Sequence, residues 1–201
     1  MKEPLGKREQ NKLKRRGTIV ATATRSFLEH GYAATSMSAI ADKLGGSKAT
    51  LWAHFASKEE LFTAVIDEQV ELFARDLEGT LTDETFSIEG LRRFCVRFLD
   101  KLLGEDAIKL FRVIMADGGR FPEINAVFHV RGPMRVRQML TAFFATRFEP
   151  DQASRLAQVT GAALVGFRSQ VLTRPALPSP EEMEQFVDDF IAHLRVPESD
   201  C

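Results

Sequence analysis

Gly45-Gly46 separates two apolar-periodic runs that are each barely two turns of helix long. Upstream lie Ile40, Ala41 and Leu44. Downstream lie Leu51 and Phe55, four residues apart. Helices this short do not persist alone in water, because too few hydrogen bonds offset the cost of nucleation. They must pack on longer neighbours, and the sequence supplies one on each side. From about Thr18 to His30, the residues Ile19, Ala23, Phe27 and Leu28 form one stripe, and Gly31 is a natural stop. Ser57-x-x-Glu60 is a capping box that opens a long helix carrying Leu61, Phe62, Val65, Ile66, Val70, Leu72, Phe73 and Leu77 before Gly79.

Helical periodicity continues through the rest of the chain. Segments of roughly 87–104, 107–117, 122–148, 151–173 and 180–195 stop at Gly104, Gly118-Gly119, Pro150 and the proline-rich run 175–180. Gly132-Pro133 should kink or divide the third of these. No sustained period-2 alternation bounded by hairpin turns is found. The expected fold is all-α, about nine helices. A flexible basic arm over 1–14 precedes a small bundle over 15–62 and a larger helical domain over 63–197.

Charge divides along the same line. The 201 residues carry a formal net charge of −1. Residues 1–58 hold 11 Lys+Arg against 4 Asp+Glu, net +7, whereas 59–201 hold 16 against 24, net −8. Such asymmetry points to a polyanion meeting the N-terminal part. The start of the chain has no apolar h-region, and no run approaches the roughly 18 apolar residues of a membrane helix. The two cysteines, Cys95 and Cys201, fit neither a metal site nor a disulfide framework. A reduced, cytoplasmic protein without membrane contact is expected.

Two short helices about a glycine turn make a helix-turn-helix, whose second helix lies in the DNA major groove. Leu51 and Phe55 face the core, leaving Lys48, Thr50, Trp52, Ala53 and His54 on the opposite side. Lys48 offers a phosphate counter-charge or a base-edge donor. Thr50 offers a hydroxyl and a methyl. Trp52 covers sugar-phosphate and donates one N–H. Thr35, Ser36 and Ser38 open the first short helix, where hydroxyls and backbone N–H groups can hold a phosphate. Lys58 is placed to reach the flanking backbone. A rim of a small core is the alternative for Trp52 and His54.

Residues 30–62, HGYAATSMSAIADKLGGSKATLWAHFASKEELF, resemble the N-terminal DNA-binding domain of TetR-family transcriptional regulators. The resemblance rests on Gly31-Tyr32, Thr35-Ser36, Ile40-Ala41, Gly45-Gly46-Ser47, Leu51-Trp52-Ala53-His54-Phe55 and Ser57-Lys58-Glu59-Glu60-Leu61-Phe62. It covers about residues 15–65. Trp52 stands where the family has tyrosine, and Gly46 where it has valine. The resemblance implies DNA contact by Thr35, Ser47, Lys48, Thr50, Trp52 and Lys58. With Ser36, Ser38, Ala49 and His54 they form the candidate DNA-binding set, and His54 is equally open to a packing role. Residues 110–134 look like the AefR-like C-terminal subtype, which implies a relative of efflux or stress regulators.

The larger domain is rich in phenylalanine and methionine. Phe94, Phe98, Phe111, Met115, Phe128, Met134 and Phe167 are candidate lining for an apolar pocket, against the alternative of ordinary core. Polar residues expected beside such a cavity are Arg112, Asp117, Arg120, Asn125 and His129. The last two helices carry Leu156, Val159, Ala163, Phe167, Phe186 and Phe190, with small residues at 161–163 and 166. They are candidates for a two-fold helix-pair interface.

No catalytic constellation emerges. The Gly45–Ala49 run lacks the strand and final glycine of a nucleophile elbow, and GAALVG at 161–166 lacks the Lys-Ser/Thr of a phosphate loop. The four histidines are scattered. Neither metal nor cofactor is expected. The sequence therefore reads as a DNA-binding regulator, not an enzyme: a homodimeric repressor on palindromic double-stranded operator DNA, released by a small hydrophobic effector. A ligand-independent regulator or activator is the first alternative. A helical enzyme or small-molecule carrier is the remote one.

Overall fold

The computed structural model describes residues 6–45, 48–81 and 85–194, with the side chains of Asp76 and Glu78 left aside. Among the described residues there are ten helices and no strand. They are α1 (Lys7–Ala34), α2 (Met37–Lys43), α3 (Lys48–His54), α4 (Lys58–Glu78) and α5 (Ile88–Leu102), then α6 (Glu105–Asp117), α7 (Pro122–Arg131), α8 (Pro133–Ala145), α9 (Pro150–Val171) and α10 (Pro180–Leu194). The division at Gly132-Pro133 separates α7 from α8, with Pro133 at the first turn of α8, where a missing N–H costs nothing.

Helix α1 begins at Lys7, well before Thr18, so residues 7–14 of the expected arm are helical. The reason is local: Lys, Arg, Glu and Gln are good helix formers even where every side chain is exposed. Residues 1–5 lie outside the described residues. Near its other end α1 is broken at Gly31, whose φ of 84° and ψ of 168° suit glycine alone, and one short turn follows.

The chain forms two compact units. The first joins residues 1–69 with 109–129, so most of α6 and α7 belongs with the short helices. Its core is Ile19, Ala23, Phe27, Ile40, Leu51, Phe55, Leu61 and Phe62 with Tyr32. Phe62 meets Phe27 edge-on at 5.0 Å and Tyr32 at 4.9 Å, and Tyr32 meets Phe121 at 5.1 Å. Such pairs each contribute about 0.5–1.5 kcal/mol beyond their area.

The second unit, residues 70–108 and 130–201, has its own cluster around Leu77, Leu91, Phe94, Phe98, Leu140, Phe144, Leu164 and Phe167. Within it α9 packs on α8 and α5, and α10 packs on α5. Arg92 of α5 ties α10 down through Asp188 at 2.6 Å and Glu184 at 3.0 Å. Cys95 is buried in this core, which pushes its thiol up to about 12. No helix of the described residues is long and apolar enough to cross a membrane.

Candidate nucleic-acid interface

Helix α2 is set by its N-cap. Ser36 adopts an extended conformation and its hydroxyl accepts from the N–H of Ala39 at 3.1 Å, so the helix opens one residue earlier than Ser38. Ile40 and Ala41 are buried, and Gly45, at φ 61°, ends the turn. Ser47 and Gly46 lie outside the described residues. Leu51 of α3 and Phe55, the residue that follows the helix, are each 1% exposed and pin it to the bundle. Lys48, Ala49, Trp52 and Ala53 are exposed, while Thr50 and His54 are half-buried. Trp52 is 42% exposed, so a large part of its ring faces solvent.

The Arg16 guanidinium of α1 stands 5.0 Å above the Phe55 ring, a cation–π contact that sequence spacing did not reveal. Lys48 Nζ is 3.8 Å from Asp42 Oδ1, an exposed pairing of small worth. Ser36 and Ser38 are exposed at the start of α2.

Thr35 and Lys58 are engaged inside the protein. Thr35 is 4% exposed, and its hydroxyl lies 2.7 Å from the Gly31 carbonyl oxygen and 3.1 Å from that of Ser26. Lys58 donates to the carbonyl oxygens of Tyr32 at 2.8 Å and Thr35 at 3.1 Å. Its Nζ also lies 4.2 Å from the Tyr32 ring centre. Burial lowers the Lys58 pKa, and the nearby Asp117 and Glu123 carboxylates oppose that shift. Burial, with Glu123 and Glu59 adding to it, pushes the Tyr32 phenol up to about 12. The start of α4 is capped as expected at Ser57, whose hydroxyl accepts from the Glu60 N–H at 3.0 Å. The Glu60 carboxylate reaches one residue further back than the usual box, to the Ala56 N–H at 2.7 Å.

The pocket candidates separate. Phe94, Phe98 and Phe167 are buried in the second unit, where Met134 is exposed. Phe111 and Phe128 are half-buried and Met115 exposed in the first unit. Asp117, expected beside such a cavity, accepts hydrogen bonds from the backbone just after Gly31. Of the interface candidates, Phe167 stacks on Phe186 at 4.3 Å within the protomer. Leu156, Ala163 and Phe190 are half-buried, and Val159 is 50% exposed. Among the described residues no group of three or more His, Cys, Asp and Glu side chains could hold a metal.

Two helices of two turns each, α2 and α3, joined by a short turn and held by the inward anchors Ile40, Leu51 and Phe55, make a helix-turn-helix. The profile of the bacterial regulatory proteins of the tetR family matches residues 19–65, and that of the AefR-like transcriptional repressor C-terminal domain matches residues 89–193. The chain belongs to the tetR family and is a DNA-binding transcriptional regulator.

Among curated relatives, the transcriptional activator FasR of Mycolicibacterium smegmatis is 36% identical over 98 residues, 47% of this chain and 45% of that protein. The repressor ComR of Escherichia coli is 38% identical over 74 residues, 37% of this chain and 35% of that protein. The chain thus spans less than half the length of these relatives. Among solved structures, a TetR-family regulator from Mesorhizobium loti superposes with a TM-score of 0.79 at 25% identity, covering 91% of this chain and 96% of that one. The flavonoid-responsive regulator FrrA gives 0.73 at 28% identity, covering 90% and 95%.

Proposed function

We propose that this regulator is a homodimeric repressor that reads a palindromic operator with α3 and is released by a small apolar effector. The carrying observation is the outward row Lys48, Ala49, Trp52 and Ala53 on a helix locked by Leu51 and Phe55. Lys48 supplies charge, Trp52 covers the sugar-phosphate, and Thr50 and Ala49 meet base edges. Two copies related by a two-fold axis would set half-sites about one helical turn apart.

Dimerisation through α9 and α10 is supported by exposed Val159 and Val165 on α9. On the same helix a Cβ added at Gly161 or Gly166 would meet nothing within 4 Å, which leaves room for a second helix to approach. The effector reading rests on the aromatic supply of the C-terminal part and on FrrA, a flavonoid-responsive relative in fold. An effector acts only through different affinity for two states of the protein.

Repression is favoured by the AefR-like repressor profile and by ComR. Activation is the second reading, favoured by FasR. In-vitro transcription from a promoter that the protein footprints separates them. Repression predicts less transcript with added protein; more transcript would establish the activator.

A further inference from the structure

We infer that Asp117 is a positioning residue for DNA binding, its carboxylate clamping the joint between α1 and α2 from the C-terminal end of α6. The inference rests on the reading of α3 as the DNA-contacting helix. At Gly31 the backbone leaves the helix, so the N–H groups of Tyr32 and Ala33 are separated from the preceding turn and require other acceptors. Asp117 Oδ2 takes both, from Tyr32 N–H at 2.7 Å and from Ala33 N–H at 3.1 Å. One carboxylate oxygen accepting two backbone donors is a charge-assisted arrangement, stronger than a neutral pair.

The joint is held on its other side too. The Tyr32 and Thr35 carbonyl oxygens are taken by Lys58 of α4. The five residues Gly31–Thr35 therefore sit between a carboxylate from α6 and an ammonium from α4, and Ser36 caps α2 immediately afterwards. Gly31 fits twice over: its φ is positive, and a Cβ there would stand 3.2 Å from Asp117 Oδ2.

The α6–α7 corner that presents Asp117 is itself closed tightly. The Asp117 carbonyl oxygen accepts from the N–H groups of Arg120 and Phe121 at 3.0 and 2.9 Å. A Cβ on Gly118 would fall 2.5 Å from the Ile114 carbonyl oxygen. Any change that turns this corner moves the acceptor of Tyr32 and Ala33, and with it the start of α2 and the seating of α3.

The test uses the full chain, comparing parent, Asp117→Ala and Asp117→Asn in two assays. The first is amide hydrogen exchange without DNA. The second is affinity, at fixed salt, for fragments that the parent enriches from genomic DNA. In Asp117→Ala, exchange at Tyr32 and Ala33 should accelerate about tenfold or more, with Val65 and Ile66 amides unchanged, matching the loss of a charge-assisted bond. Operator affinity should fall about tenfold while its salt slope stays as in the parent, since no phosphate contact is removed. Asn keeps an acceptor oxygen without the charge and should fall between the two. If Ala does not fold, Asn alone decides, with a loss of roughly threefold in each assay expected. Variants within about twofold of the parent in exchange and in affinity would overturn the clamp, as would acceleration spread evenly over the core. A parent that enriches no DNA would sink the functional reading instead, and the exchange assay would still decide the clamp.

Discussion

The Lys58 ammonium lies 2.8 Å from the Tyr32 carbonyl oxygen and 4.2 Å from the centre of the Tyr32 ring, so one side chain holds both the backbone and the face of the same residue. This engagement separates two roles that sequence alone gives to a lysine at the head of α4. A phosphate contact would make Lys58→Ala lower the salt dependence of DNA binding by about one unit of slope. Internal support predicts a stability loss of about 1–3 kcal/mol with the slope unchanged. Denaturant unfolding and binding over a salt series measure both.

Trp52 and Leu51 are sequence neighbours on opposite sides of α3, one exposed and the other buried. Trp52→Ala should cost about 1 kcal/mol of stability or less, because much of the ring faces solvent, yet weaken operator binding by about tenfold. Leu51→Ala should cost about 2–5 kcal/mol through the cavity it leaves. Urea unfolding beside a binding titration distinguishes them; a large stability loss for Trp52→Ala would put the indole in the core.

Gly31→Ala should destabilise the protein by about 1–3 kcal/mol, the cost of an L side chain in a backbone region that essentially only glycine adopts. The adjacent Asp117 oxygen adds crowding to that strain. Gly17→Ala, inside α1 and with nothing within 4 Å of the added Cβ, should raise stability slightly or leave it unchanged. Thermal unfolding of the two variants gives the contrast, and an equal response would contradict it.

The Arg92 guanidinium, hydrogen-bonded to Asp188, holds that carboxyl below its ordinary 3.8. A depressed folded-state pKa contributes stability that is fully present above the ordinary value and is lost as pH falls through the folded one. Both groups are partly exposed, so the contribution is under about 1 kcal/mol. The stability gap between parent and Arg92→Ala should be constant from neutral pH to about 5 and shrink below about 4. A gap unchanged in acid would contradict the pairing.

Much of the first unit was legible because periodicity fixes faces: Leu51 and Phe55 inward, Lys48 and Trp52 outward. Ser36 and Ser57 caps were legible for the same local reason. Lys58, Thr35 and Asp117 were not. A lysine donor serves a carbonyl or a phosphate equally well, and partners 26 and 85 residues away leave no spacing to read. The helical start at Lys7 leaves no periodicity in the sequence, since residues 7–14 carry one apolar side chain, Leu13, and only their propensity favours a helix. Phe167 illustrates a third limit, since an apolar residue on a long helix fits a pocket, an interface or a core, and here it stacks on Phe186 inside the protomer.

The central claim is that α3 reads DNA. The most direct measurement is selection of bound genomic fragments at fixed near-physiological salt, followed by footprinting of the winner with parent, Lys48→Ala and Trp52→Ala. The account predicts a palindromic site protected by the parent and weakened for both variants, with each variant still folded. Enrichment by folded Lys48→Ala and Trp52→Ala equal to that of the parent would contradict it.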